Sequence, residues 1–108
     1  MMEIGEIIQK IQPKKSPYNR TMYLIHNYKD LKNGERVNEA QRDVLKVIEN
    51  AVDMIRDDRY IKIIQMMMEG KTAEKIAVIE NMDIKNVYRQ RKRLIKRLSI
   101  IIYGDEAL

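Results

Sequence analysis

Apolar side chains recur along this chain at three- and four-residue intervals, the period of an α-helix, and no stretch alternates as a strand would. Ile4, Ile7, Ile8 and Ile11 predict a first helix over residues 2 to 11 with a narrow apolar stripe. Pro13 and Pro17 then interrupt it, because each lacks a backbone donor and biases its predecessor away from the α region. The first helix therefore reads as an arm on a linker. Leu24, Ile25, Tyr28 and Leu31 predict a second helix that runs from about Pro17, capped by Ser16, to Asn33 and Gly34. Asn38 with Gln41 three residues on has the form of a capping box. It opens a helix whose apolar positions, Val44, Leu45, Val47, Ile48, Ala51, Val52 and Ile55, cover a broad face. A face that wide belongs to a central core helix or to one that also meets another subunit. Asp57 and Asp58 mark the next start. Tyr60, Ile63, Ile64, Met67 and Met68 follow as its stripe, with Gly70 at its close. The expected class is all-α, with roughly six helices.

The last two helices are joined by a tight turn. Thr72 caps the first of them, and Ile76, Ala77 and Ile79 are its expected inward positions. Ala77 is small where two helices cross closely. Asn81 falls where the turn needs a left-handed residue, a conformation Asn tolerates better than most. Met82 is expected to point inward and Asp83 to cap the second helix, with Val87 meeting Ile76 and Ala77 across the turn. Val87, Leu94 and Leu98 line one side of that helix, flanked by Ile95, Ile101 and Ile102. A helix-turn-helix is the predicted arrangement.

Charge changes the picture. The chain of 108 residues carries a formal net charge of +5, from 21 basic and 16 acidic residues. Residues 1 to 58 are balanced at ten of each sign, whereas residues 59 to 97 hold eleven basic and four acidic side chains. Between Lys85 and Arg97 there are seven basic residues and no acid. Such a concentration points to a polyanionic partner. The absence of cysteine excludes disulfides and thiolate metal sites, and the single His26 cannot build a metal site or a catalytic triad with the groups around it. No carboxylate pair in a metal motif, Gly-rich phosphate loop or activated nucleophile is evident, so no enzyme, catalytic residue, metal or cofactor is expected. No apolar run reaches the ~20 residues of a membrane span. The opening Met-Met-Glu-Ile-Gly-Glu lacks signal-peptide shape, and a cytoplasmic location is expected.

In a helix-turn-helix the N-terminal part of the second helix enters the major groove, which assigns Lys85, Asn86, Arg89 and Gln90 to base edges. Arg can bond two acceptors of guanine, and Asn or Gln can do the same for adenine. Lys92, Arg93 and Lys96 lie further along and are assigned to phosphates with Tyr88, while Lys71 and Lys75 hold the backbone from the first helix. Arg91 projects to the apolar side, where it is expected to snorkel or to pair with Asp57, Asp58 or Glu74. Met66, Met67 and Met68 read as core filler.

The run Ile76-Ala77-x-x-x-Asn81-Met82-Asp83-x-x-x-Val87 resembles, without a gap, the helix-turn-helix of the fourth region of sigma factors. More closely, residues 58 to 104 resemble the ArpU/RinA-type regulators of phage late genes. The likeness is carried by Tyr60-x-x-Ile63-Ile64, Gly70-Lys71-Thr72, Val87-Tyr88-Arg89, Leu94-x-x-x-Leu98 and Ile102-Tyr103-Gly104. More loosely, Leu24-x-x-Asn27-Tyr28-x-x-Leu31 is similar to that family's N-terminal helix. Asn81 stands where the family's turn usually has Gly. The resemblance implies a small sigma-like activator that binds phage promoter DNA and switches on packaging or lysis operons.

The chain then divides into an N-terminal helix and linker (1–17), a helical core or dimerisation region (18–57), a DNA-binding region (58–104) and a tail (105–108). The leading expectation is a sequence-specific DNA-binding transcriptional regulator, with double-stranded DNA as partner, a homodimer through the long helix or the arm, and RNA polymerase as a further contact. The alternative is a sigma-like adaptor or inhibitor that docks on polymerase or another protein, motivated by the wide apolar face from Val44 to Ile55.

Overall fold

The computed structural model describes residues 16 to 34 and 38 to 107. Among them lie six α-helices: α1 (Pro17–His26), α2 (Tyr28–Asn33), α3 (Glu39–Met54), α4 (Ile61–Met68), α5 (Ala73–Ile79) and α6 (Ile84–Tyr103). A 3-10 turn at Gly104–Ala107 follows, and there is no strand among the described residues. The all-α class is as expected. The helix and linker expected over residues 2 to 15 fall outside the described residues.

The single helix expected from Pro17 to Asn33 is two. Asn27 adopts φ −103° and ψ 8°, and its Nδ2 donates to the Tyr23 carbonyl at 2.9 Å. An Asn side chain that competes for a carbonyl of the preceding turn bends a helix in this way. Tyr28, just past the bend, is buried and donates its hydroxyl to Glu49 of α3. Gly34 ends α2 in extended backbone, φ −65°, and not in the left-handed region.

The remaining helix ends follow the sequence closely. Ser16 accepts from the Asn19 amide at 3.2 Å with Pro17 at the first helical position. Asn38 and Gln41 close a reciprocal capping box at 2.8 and 3.1 Å. Gly70, at φ 87°, ends α4 with its own amide bonded to the Met67 carbonyl and the Lys71 amide bonded to Met66. This double closure is a Schellman motif.

α6 is the spine of the molecule and packs against α1, α3, α4 and α5. Its Val87, Leu94, Ile95 and Leu98 are buried with Leu24 and Ile25 of α1, Ile48 and Ala51 of α3, Ile63 and Ile64 of α4, and Ile76 of α5. Each larger aliphatic side chain removed from water contributes about 1.5–3 kcal/mol. A buried hydroxyl pair stitches α1 to α6, with Ser99 Oγ 3.0 Å from Thr21 Oγ1. Thr21 donates its own proton to the Pro17 carbonyl, so its oxygen accepts from Ser99, whose single proton is shared between Thr21 and the Ile95 carbonyl. With one side of α6 fixed in the core, the position of the other is fixed too.

Of the two readings of the broad face of α3, the central core helix is the one observed, and the expectation for Ile79 is corrected. Val44, Leu45, Ile48, Ala51, Val52 and Ile55 are buried within this chain and Val47 is half-buried, so the broad face of α3 is filled from inside. Ile79 was expected to face inward. It is 48% exposed, beside Val78 at 81%, because a seven-residue helix has room for only one narrow inward stripe and Ile76 and Ala77 occupy it.

Candidate nucleic-acid interface

The turn before α6 is built from two caps. Asn81 lies at φ 51°, in the left-handed region. The Met82 amide donates to the Ala77 carbonyl at 2.9 Å, and the Asn81 amide to Val78 at 3.2 Å. These two bonds make a second Schellman motif, with Asn in the place where Gly is commonest. Asp83 then caps α6 by accepting from the Lys85 amide at 2.8 Å. Met82 packs against the core, as expected. Thr72 caps α5 through the Lys75 amide at 3.2 Å.

At about 100° per residue, Lys85, Arg89, Lys92 and Lys96 fall within one narrow sector of α6. It lies opposite the buried Val87, Leu94 and Leu98. All four cations are exposed, and none makes an ion pair among the described residues. The stripe runs for about 16 Å at 1.5 Å per residue. Lys75 of α5 is likewise exposed and without an ion pair among the described residues.

One flank of this stripe is a polar chain. Asn86 and Gln90 are half-buried, and Gln90 Nε2 donates to Asn86 Oδ1 at 3.2 Å. Arg93 Nε donates to Gln90 Oε1 at 2.8 Å. The two terminal nitrogens of Arg93 close on Asp58 at 2.8 and 2.9 Å, and Arg97 joins them at 3.2 Å. Asp58 also accepts from the Tyr60 amide at 2.9 Å and is only 8% exposed. The Arg93 hydrogen bonds lower its carboxyl to a pKa of about 2; burial opposes the shift, and the Tyr60 amide and the charges of Arg93 and Arg97 support it. On the other flank the Arg91 guanidinium lies 4.8 Å from the centre of the Tyr88 ring. The Tyr88 hydroxyl reaches Glu74 at 3.4 Å.

These positions sort the residues expected to meet DNA. Lys85, Arg89, Lys75, Lys92 and Lys96 present charge that the described chain leaves uncompensated. Lys71 is half-buried and paired with Glu69, and Arg93 is held by Asp58, so both phosphate assignments lose their open cation. Gln90 has both ends of its amide engaged and braces its neighbours. Asn86 already has one partner within the chain, Gln90, and Tyr88 has two, Glu74 and Arg91. Arg91 snorkels onto an aromatic ring, and the Asp58 expected to meet it is taken by Arg93 and Arg97. Sequence spacing gave no means of finding that pairing, since Asp58 and Arg93 are 35 residues apart.

Among the described residues there is no group of three His, Cys, Asp or Glu side chains that could hold a metal ion, and no helix is long and apolar enough to cross a membrane. No protein-family model, curated protein or solved structure matches the chain.

Proposed function

We propose that this chain is a sequence-specific DNA-binding transcriptional regulator, of the kind that activates late operons of a phage or prophage. The observation that carries the proposal is the stripe of Lys85, Arg89, Lys92 and Lys96, exposed and without ion pairs among the described residues, on a helix anchored in the core and entered through a capped turn. A helix about 10–12 Å across fits a major groove about 12 Å wide. Lys85 and Arg89, in the first turns of α6, are the base-reading groups, with Asn86 beside them. Lys92, Lys96 and Lys75 hold phosphates. The late-operon role rests on the likeness of the motifs between Tyr60 and Gly104 to the ArpU/RinA type. Selection of bound duplexes from a random pool tests the proposal: enrichment of a defined motif supports it, and recovery of unenriched sequence contradicts it.

A second reading, an adaptor or inhibitor that docks on RNA polymerase, keeps one supporting observation. The broad face of α3 no longer motivates it, nor a homodimer through that face. Val78 and Ile79, side by side and exposed on α5, do. Capture of polymerase that is lost on Val78→Ser and retained on Lys96→Ala favours this reading over the first.

A further inference from the structure

The polar flank of α6 fixes the orientation of two side-chain amides. An Arg side chain has only donors, so the oxygen of Gln90 must be the atom that faces Arg93 Nε, 2.8 Å away. That orientation leaves the Gln90 Nε2, again only a donor, facing Asn86. The atom of Asn86 3.2 Å from it must then be the oxygen, Oδ1. Both carboxamides are thus oriented in sequence from the anchored guanidinium, which Asp58 fixes through two bonds. Gln90 has an engaged donor and an engaged acceptor. Asn86 has one lone pair of its acceptor engaged, and its Nδ2 makes no hydrogen bond among the described residues.

We infer that the Asp58–Arg93–Gln90–Asn86 chain makes the reading surface a donor surface, and that this selects guanine over adenine at the bases it meets. The inference rests on the proposed binding of duplex DNA. Lys85 and Arg89 supply donors only. To read adenine in two bonds, Asn86 must accept from N6 through the same Oδ1 that Gln90 engages, while donating to N7. Guanine, by contrast, shows two acceptors in the major groove, N7 and O6, whereas adenine and cytosine each show a donor, for which Asn86 offers only the second lone pair of an oxygen already turned to Gln90. Asp83, at the start of the helix, is turned to the Lys85 amide as the helix cap. Gln90 is a positioning residue in this scheme, and Asn86 and Arg89 are the groups that touch the base.

The test is selection from a random duplex pool with the full chain, followed by titration of the enriched site with single guanines replaced by adenine or by 7-deazaguanine, which lacks the N7 acceptor. The expected result is enrichment of guanine, with a loss of about fivefold or more for either replacement at a contacted position. In Gln90→Leu, and independently in Gln90→Glu, the amide donor to Asn86 is gone, and the ratio of guanine to adenine affinity should fall at one position. That ratio is unmoved by a general loss of folding or of phosphate contacts, and circular dichroism confirms the helix content of each variant. Enrichment of adenine, or an unchanged ratio in both folded variants, overturns the inference while leaving DNA binding intact. Failure of the wild-type chain to retain any duplex at low salt overturns the proposed function itself, and the inference with it.

Discussion

Arg93 closes on Asp58 with both terminal nitrogens, at 2.8 and 2.9 Å, and so ties the middle of α6 to the turn that precedes α4. Asp58 is nearly buried, and Arg93 is 46% exposed. A carboxylate in that position is stable only while its cation stays. The pair therefore holds α6 against the rest of the domain and withdraws Arg93 from any external anion.

This pairing makes stability depend on acid. The Asp58 carboxyl is depressed from its ordinary 3.8 to about 2 in the folded chain. Its contribution is complete above the unfolded value, and it is lost as pH falls through the folded one. Discounted for the exposed guanidinium, it amounts to about 1–2 kcal/mol. Asp58→Asn should lower the unfolding free energy at pH 7 by about that much and flatten the stability curve between pH 4 and pH 2. Urea titrations at a series of pH values measure both effects.

Asn81 makes a second point of leverage, because its φ of 51° is a conformation that costs most L-residues about 1–2 kcal/mol. Asn81→Gly should stabilise the chain by a few tenths to about 1 kcal/mol. Asn81→Ala should destabilise it by about 1 kcal/mol. Thermal unfolding of the pair, in which the two substitutions move the midpoint in opposite directions, checks the turn geometry.

The hydroxyl contact between Ser99 and Thr21 joins α6 to α1 in the core at 3.0 Å. Ser99→Ala removes it but leaves Thr21 donating to the Pro17 carbonyl, so no donor is stranded. The expected cost is about 0.5–1.5 kcal/mol, read from the shift in urea midpoint at constant slope.

Much of this architecture was legible in the sequence, and the reason is local. Ser16, Asn38, Thr72 and Asp83 satisfy amides two or three residues away, and Gly70 and Asn81 sit at left-handed positions that short-range sterics dictate. The sector of Lys85, Arg89, Lys92 and Lys96 follows from helical period alone. The bend at Asn27 was hidden because Leu24, Tyr28 and Leu31 keep the same period on either side of it. The ownership of α3's apolar face was hidden as well: period shows that a face is apolar, and only packing shows what covers it. The commitment of Arg93 to Asp58 and of Lys71 to Glu69 is likewise tertiary or rotameric. A basic residue on an outward face can be counted from sequence, yet its free charge cannot.

The roles along the stripe separate by experiment. Arg89→Ala should weaken the selected site by about 1–3 kcal/mol and relax the base preference there. Lys96→Ala should weaken selected and random duplexes alike. Gel-shift titrations with both kinds of duplex compare them directly.

The central claim, that α6 offers duplex DNA a set of cations left open by the described chain, is tested most directly by the salt dependence of that binding. With Lys75, Lys92 and Lys96 on phosphates, and with Lys71 and Arg93 withdrawn by Glu69 and Asp58, log K should fall against log salt with a slope of about −3. Lys96→Ala should reduce the slope by about 1, and Lys71→Gln should leave it nearly unchanged. A slope near zero, or one that Lys71→Gln changes as much as Lys96→Ala does, would contradict the account.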